Sequence, residues 1–100
     1  MVEAHIYVRF KPEAQNEESR SEFARRCQTL VSIPEVQRVR VGTPADDRSA
    51  AAWDICLVIE LDTAQAAATL STHPIYKSLL DPHDTPQLAI SKEWNFQMQA

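Results

Sequence analysis

The residues with the clearest chemical potential lie in the segment His73-Pro74-Ile75-Tyr76. A histidine and a tyrosine at this spacing can act as general acid and general base when both line a pocket. The same pair also has a structural interpretation, in which His73 precedes a short helix and Tyr76 is a half-buried anchor. We favour the structural interpretation, because many titratable residues near clefts have no catalytic role. His73 and Tyr76 therefore stand as candidate catalytic residues to be tested against the structure.

A second group of polar residues, Asp81, His83 and Asp84, lies within one loop that contains two prolines. These residue types bind metal ions, but metal sites usually draw their ligands from rigid, separated elements with supporting hydrogen bonds. Aspartates in such segments normally bond to their own backbone. The sequence thus favours a solvated turn, and it predicts neither a metal site nor a cofactor. A chain with one glycine, Gly42, has no glycine-rich loop for phosphate groups.

Two cysteines are the remaining candidates for chemistry. Cys27 falls on the apolar stripe of a predicted helix, which favours an inert core thiol. Cys56 falls on a predicted strand, and a nucleophile there would need a neighbouring base that sequence spacing does not identify. The chain has no CxxC pair and no zinc-finger spacing. Free thiols in a reducing cytoplasm are the simplest interpretation.

Composition excludes several classes of function. The net charge of −4 disfavours binding to nucleic acid or to anionic membranes, which attract basic surfaces. No apolar run approaches the roughly 20 residues that span a bilayer, and the amino terminus lacks the basic and apolar segments of a signal peptide. At 100 residues with 44% hydrophobic residues, the chain is expected to form one globular domain over residues 1–100.

The elements that must position these residues follow the order β-α-β-β-α-β. Period-two alternation predicts strands, and helical periodicity with capping residues and prolines predicts helices. The predicted strands are Glu3–Lys11, Val36–Val41, Trp53–Leu61 and Leu88–Phe96, and the predicted helices are 17–32, 64–71 and 74–80, with an irregular loop over 42–51. Asn16 is the predicted cap of the first helix, and either Asp62 or Thr63 caps the second. This order is that of the ferredoxin-like α+β fold, a four-stranded antiparallel sheet with helices on one face.

The alternation assigns each strand residue to one face of the sheet. On the helix-covered face we expect Trp53, Leu88, Ile90, Trp94 and Phe96 in the core, although Lys92 interrupts the series of the last strand. The helix stripe Phe23, Cys27, Leu30 and Val31 packs against them. The opposite face is a mixture of charged, polar and apolar side chains: His5, Tyr7, Arg9, Arg38, Arg40, Asp54, Cys56, Val58, Glu60, Ala89, Ser91, Glu93 and Asn95.

The whole pattern resembles the stress-responsive dimeric α/β-barrel (Dabb) family. The matching segments are 5–12 (HIYVRFKP), 33–36 (IPEV), 41–42 (VG), 53–61 (WDICLVIEL) and 73–76 (HPIY). The resemblance implies that the mixed face packs on the same face of a second subunit, closing a dimeric α/β barrel. It implies a homodimer interface of His5, Tyr7, Arg9, Arg38, Arg40, Asp54, Cys56, Val58, Glu60 and Glu93, in which arginines meet Asp54 and Glu60.

The resemblance also bears on function. One plant member of the family closes a polyketide ring with a histidine and a tyrosine, the histidine being the last residue of a His-Pro-x-His motif. Here that position holds Tyr76, and the tyrosine position holds Leu70, so this dyad is absent. We therefore expect a stress-associated barrel domain that binds a small apolar ligand between sheet and helices. The alternatives are a small-molecule enzyme, either a cyclase or isomerase or a cofactor-free monooxygenase, and a purely structural oligomerisation module.

Overall fold

The protein is a four-stranded antiparallel sheet with helices packed on one face, as the sequence predicts. The computed structural model describes residues 1–99. The strands pair in the order β2-β3-β1-β4, which is the ferredoxin-like arrangement. The elements are β1 (Val2–Phe10), α1 (Glu17–Cys27), β2 (Val36–Gly42), α2 (Asp47–Ala52), β3 (Ile55–Leu61), α3 (Ala64–Thr72), α4 (Pro74–Leu79) and β4 (Leu88–Gln97), with short 3-10 helices at Pro12–Ala14 and Gln28–Ser32.

Each α-helix begins at a side chain that accepts a hydrogen bond from the first turn. Asn16 caps α1 as predicted, Thr63 caps α3 where the sequence allowed either Asp62 or Thr63, and His73 caps α4. The segment predicted as an irregular loop instead contains α2. Asp46 accepts a hydrogen bond from the backbone amide of Ser49, and the alanines that follow are strong helix formers. The prediction missed α2 because six residues are too few to show helical periodicity.

The core lies between the sheet and α1, α3 and α4. Alternate residues of β1 and β3 are buried, and Phe10 meets Phe23 of α1 edge to face at 5.5 Å between ring centroids. Cys27 and Leu30 continue the buried stripe, but Val31 is 58% exposed and its predicted burial is wrong. The chain changes to a 3-10 helix at Gln28, so the angular spacing between residues no longer follows the α-helical period.

A bulge in β4 reverses the predicted facing of most of that strand. Phe10 lies opposite Leu88, whereas Arg9 lies opposite Ile90, so Ala89 is an extra residue between them. Because side chains alternate with period two, one inserted residue moves every later side chain to the other face. Of the predicted core residues in β4, only Leu88 is buried. Three others, Ile90, Trp94 and Phe96, lie on the face without helices.

The two residues before β3 also lie on the faces opposite to those predicted. The strand begins at Ile55, two residues later than predicted. Trp53 was expected in the core, but its ring packs against Tyr7 on the face without helices, at 5.7 Å between centroids. Asp54 was expected on that face and is instead completely buried. The residue pairing between β1 and β3 ends at Val8 and Ile55, and the backbone N–H of Asp54 still donates to the carbonyl of Val8 at 2.8 Å.

Candidate functional site

Asp54 is the buried centre of a polar cluster that joins three elements. One carboxylate oxygen accepts a hydrogen bond from the backbone N–H of Phe10 at 2.8 Å. The other accepts from Arg20 of α1, with Nε at 3.0 Å and a second guanidinium nitrogen at 2.9 Å. The carboxylate thus supplies the acceptor that β1 lacks where its pairing with β3 ends. The prediction that Asp54 faces a second subunit is wrong, because its partners lie within its own subunit.

Arg9 is also committed within the subunit. Its guanidinium donates to the backbone carbonyl of Ala50 in α2 at 2.6 Å and to the side chain of Gln15 at 3.0 Å. It lies 3.5 Å from Asp54 as well. The position of Arg9 in the alternation of β1 predicts an interface residue. Its guanidinium instead binds α2 to the end of β1 within the same subunit.

The two candidate catalytic residues are held by structural contacts. His73 Nδ1 accepts a hydrogen bond from the backbone N–H of Ile75 at 3.2 Å, and so caps α4. The Tyr76 hydroxyl donates to the carboxylate of Glu93, joining α4 to β4. Burial raises the pKa of Tyr76 above its usual range, and the hydrogen bond and the charge of Glu93 add to the effect. A tyrosine held neutral in this way is a poor proton acceptor near pH 7.

Glu93 occupies a different position from the predicted one. The bulge at Ala89 turns Glu93 towards the helices, where it meets Tyr76. Its assignment to the partner surface is therefore wrong. Ser91 and Asn95, which lie two residues before and after Glu93, are on the same helix-covered face of β4.

The face of the sheet opposite α1, α3 and α4 has two regions, and we call it the open face. The first region is a charged network on β1, β2 and β3. Glu3 contacts His5 at 2.9 Å and Arg40 at 3.4 Å, while Glu60 lies 3.7 Å from Arg40 and 3.8 Å from Arg38. The arginines that meet Glu60 are thus those of the neighbouring strand in the same subunit.

The second region of the open face is an apolar strip along β4. Ile90, Trp94 and Phe96 are 47%, 49% and 51% exposed. Trp94 packs towards Tyr7 at 6.3 Å between centroids, and Phe96 meets the ring of His5 edge to face at 5.4 Å. Sequence alternation placed these residues in the core. Lys92 was the signal against that assignment, because a charged side chain in phase with them is incompatible with a dry core.

The largest cleft described lies where the β2–β3 connection folds over one end of the open face. Its volume is about 520 Å³. Trp53 and Tyr7 form an aromatic wall, and α2 forms the opposite side. The lining residues are Tyr7, Gly42, Thr43, Pro44, Ala45, Asp46, Arg48, Ser49, Ala52, Trp53, Asp54, Ile55 and Cys56.

Cys56 is the nucleophilic side chain in this cleft, and it is not activated. Its thiol is partly buried. Burial raises the pKa of Cys56, an effect that the nearby positive charge of Arg40 only partly offsets. A reactive thiol needs a lowered pKa and a base, so the cleft is better suited to binding than to nucleophilic attack. Neither His73 nor Tyr76 lines this cleft.

Comparison with known proteins places the chain in a family. The model of the stress-responsive A/B barrel domain, Dabb, matches residues 4–84. The chain belongs to the Dabb family. The match runs from β1 to the turn before β4, so it includes both sides of the cleft. No curated protein matches the chain in sequence.

Solved structures share the Dabb fold of this chain at low sequence identity. Protein At3g17210 of Arabidopsis thaliana is 12% identical, with a TM-score of 0.79 over 100% of this chain and 97% of its own. A dimeric ferredoxin-like protein of unknown function from Thermobifida fusca is 18% identical, with a TM-score of 0.75 over 97% and 90%. A hydroxynitrile lyase from Passiflora edulis is 13% identical, with a TM-score of 0.73 over 98% and 93%. Identities this low establish the common fold and no shared reaction.

The loop of Asp81, His83 and Asp84 forms the turn that its composition indicates. The Asp81 carboxylate accepts a hydrogen bond from the backbone N–H of His83 at 2.9 Å. Within residues 1–99 of this Dabb domain, no three histidine, cysteine or acidic side chains are grouped as metal ligands. Over the same range, every helix is too short or too polar to cross a membrane.

Proposed function

We propose that residues 1–100 act as one single-domain subunit of a homodimer, in which the open faces of two copies pack together. Exposed apolar patches of this kind usually mark interaction surfaces. The strip of Ile90, Trp94 and Phe96 runs along the edge strand β4, on the face of the sheet opposite α1, α3 and α4. The Thermobifida fusca protein with the same fold is dimeric, which supports the proposal.

The charged network is compatible with burial against a second copy. Glu3 and Glu60 already have arginine or histidine partners in their own subunit, so packing would not leave either carboxylate unpaired. The interface would combine this network with the apolar strip. Its residues would be His5, Tyr7, Arg38, Arg40, Cys56, Val58, Glu60, Ile90, Trp94 and Phe96.

We infer that this dimer binds a small apolar molecule, and the cleft beneath the β2–β3 connection is the observation that carries this inference. A volume of about 520 Å³ lies within the range of about 300–1,000 Å³ typical of ligand sites. The expected site between sheet and helices is occupied by core side chains, among them Phe23, Leu70 and Leu79. We therefore propose the binding site in the cleft on the open face instead.

The test is a titration with 2-naphthamide, a neutral two-ring probe, followed by the indole N–H signals in an NMR spectrum. The chain has two tryptophans, and a Trp94→Phe variant assigns their signals. We expect the Trp53 signal to shift on addition of the probe. Ala52→Phe, which fills the cleft, should abolish the shift.

Ala51→Phe is the matched control, since Ala51 is the exposed neighbour of Ala52 and does not line the cleft. It should bind the probe as the unaltered protein does. An unmoved Trp53 signal at saturating probe, or equal binding by the Ala52→Phe variant, would remove the cleft as the ligand site.

We place the protein in the cytoplasm. Cys27 and Cys56 are both free thiols, and free thiols persist in reducing compartments. Recovery of both thiols in the reduced state from cells lysed in a thiol-blocking reagent would support this location.

A further inference from the structure

The cleft that carries the proposed ligand site presents hydrogen-bond donors that have no partner in the protein. Within residues 1–99, the guanidinium of Arg48, the indole N–H of Trp53 and the hydroxyl of Tyr7 make no hydrogen bond or ion pair, and all three side chains line the cleft. A guanidinium and an indole can only donate. A ligand that satisfies them must therefore supply acceptors.

The acidic groups of the same cleft are already engaged. The carboxylate of Asp54 is buried and is bound by Arg20 and by the backbone of Phe10. Asp46 is exposed and caps α2 by accepting a hydrogen bond from the backbone amide of Ser49, which fixes its carboxylate at the start of the helix. Among the residues that line the cleft, Arg48 is the cation.

The apolar residues of the cleft lining determine which ligand shape fits. Trp53 and Tyr7 form a tilted aromatic pair, and small side chains, those of Pro44, Ala45 and Ala52, also line the cleft. Aromatic rings together with small side chains suit a planar apolar group. Burial keeps the thiol of Cys56 in its neutral form by raising its pKa, so it adds no negative charge to the cleft.

We propose that the ligand of this cleft is an aromatic carboxylate, with its ring against Trp53 and Tyr7 and its carboxylate on Arg48. This inference rests on the proposed small-molecule function and adds the chemical class of the ligand. Arg48 supplies a planar pair of donors that matches a carboxylate, and such charge-assisted hydrogen bonds are about twice as strong as neutral ones.

The experiment compares 2-naphthoate with its neutral isostere 2-naphthamide by calorimetry on the full chain. We expect naphthoate to bind about tenfold more tightly, a preference worth about 1.4 kcal/mol. Arg48→Gln should abolish the preference by weakening naphthoate much more than naphthamide, whose carbonyl accepts only a neutral hydrogen bond. The matched control is Arg25→Gln, which removes the same charge from an exposed position on α1 outside the cleft and should keep the preference.

The outcomes separate the two proposals. Equal binding of both probes to the unaltered protein, or a preference that survives Arg48→Gln, would overturn the aromatic carboxylate while leaving a small-molecule site. Absence of binding by either probe would overturn both. A second variant, Trp53→Phe, replaces the indole with a smaller ring. It should weaken the binding of both probes, because both place their rings against Trp53, and unchanged affinity for both would overturn this placement.

Discussion

The two faces of one sheet differ in how they satisfy their polar groups. On the helix-covered face, Asp54 is completely buried and every acceptor site it uses is matched by a fixed donor of its own subunit. On the open face, Glu3 and Glu60 are paired with arginines that remain partly exposed. The first arrangement stabilises a subunit. The second leaves a surface that a second subunit can cover without leaving charges unpaired.

The same difference appears in the apolar residues. The helix-covered face is closed by aliphatic side chains and by the contact between Phe10 and Phe23. The open face carries Trp94 and Phe96 about half exposed. The comparison teaches that the two faces of this sheet are specialised, one for folding and one for contacts outside the subunit.

The largest effect should come from breaking the buried cluster. Asp54→Ala leaves the guanidinium of Arg20 and the N–H of Phe10 without their acceptor in a dry environment, and we expect a loss of about 3–5 kcal/mol in the free energy of unfolding. Urea denaturation measures it. Asp47→Ala, an exposed aspartate in α2, is the control and should change stability by about 0.5 kcal/mol or less. A small change in the free energy of unfolding on Asp54→Ala would contradict the dry environment assigned to the cluster.

Neighbouring residues of β3 allow the two faces to be compared directly. Leu57 is buried on the helix side, whereas Val58 lies on the open face. Leu57→Ala should cost about 3 kcal/mol of subunit stability through the cavity it creates. Val58→Ala, measured in a Trp94→Arg background that isolates the subunit, should cost about 1 kcal/mol or less. Equal costs at the two positions would contradict the assignment of faces.

A smaller effect should appear at alkaline pH. Burial raises the pKa of Cys27 from 9.0 to about 12. Above pH 9 the unfolded chain loses this proton while the folded chain keeps it, so stability falls as pH rises towards 12. The loss from Cys27 should be about 1.4 kcal/mol at pH 10. Tyr76, whose pKa is also raised, adds to the fall only above pH 10.

Urea midpoints from pH 8 to pH 10 measure this dependence, and Cys27→Ala should reduce it, leaving the contribution of Cys56, whose pKa burial also raises. The cavity left by Cys27→Ala lowers stability at every pH, so the slope with pH is the quantity to compare. An unchanged slope in the variant would assign the alkaline loss to other groups.

Much of the fold could be predicted because local signals agreed with it. Alternation in β1 and β3, the caps at Asn16 and Thr63, and Pro74 at the start of α4 each reflect interactions between residues close in sequence. These signals give the order of elements and therefore the ferredoxin-like topology. The Dabb membership, which was expected from the resemblance of particular segments and their spacing, was confirmed.

The open face and the cleft could not be predicted in full, because both depend on contacts between residues distant in sequence. Ala89 has no sequence feature that marks it as a bulge, yet it decides the facing of Trp94 and of Glu93. Asp54 turns inward because Arg20, in another element, binds its carboxylate. A composition rule would have helped in one place, since Lys92 in phase with Trp94 and Phe96 already argued against burial.

The most direct test of the two specialised faces is sedimentation equilibrium at micromolar concentration. The account predicts a mass of twice the 11.3 kDa subunit for the unaltered protein. Trp94→Arg should give folded subunits of 11.3 kDa, because it places a further charge within the apolar strip. Val31→Arg changes an exposed apolar residue of the 3-10 helix 28–32 and should remain dimeric. A monomeric unaltered protein, or a Trp94→Arg variant that stays dimeric, would contradict the account.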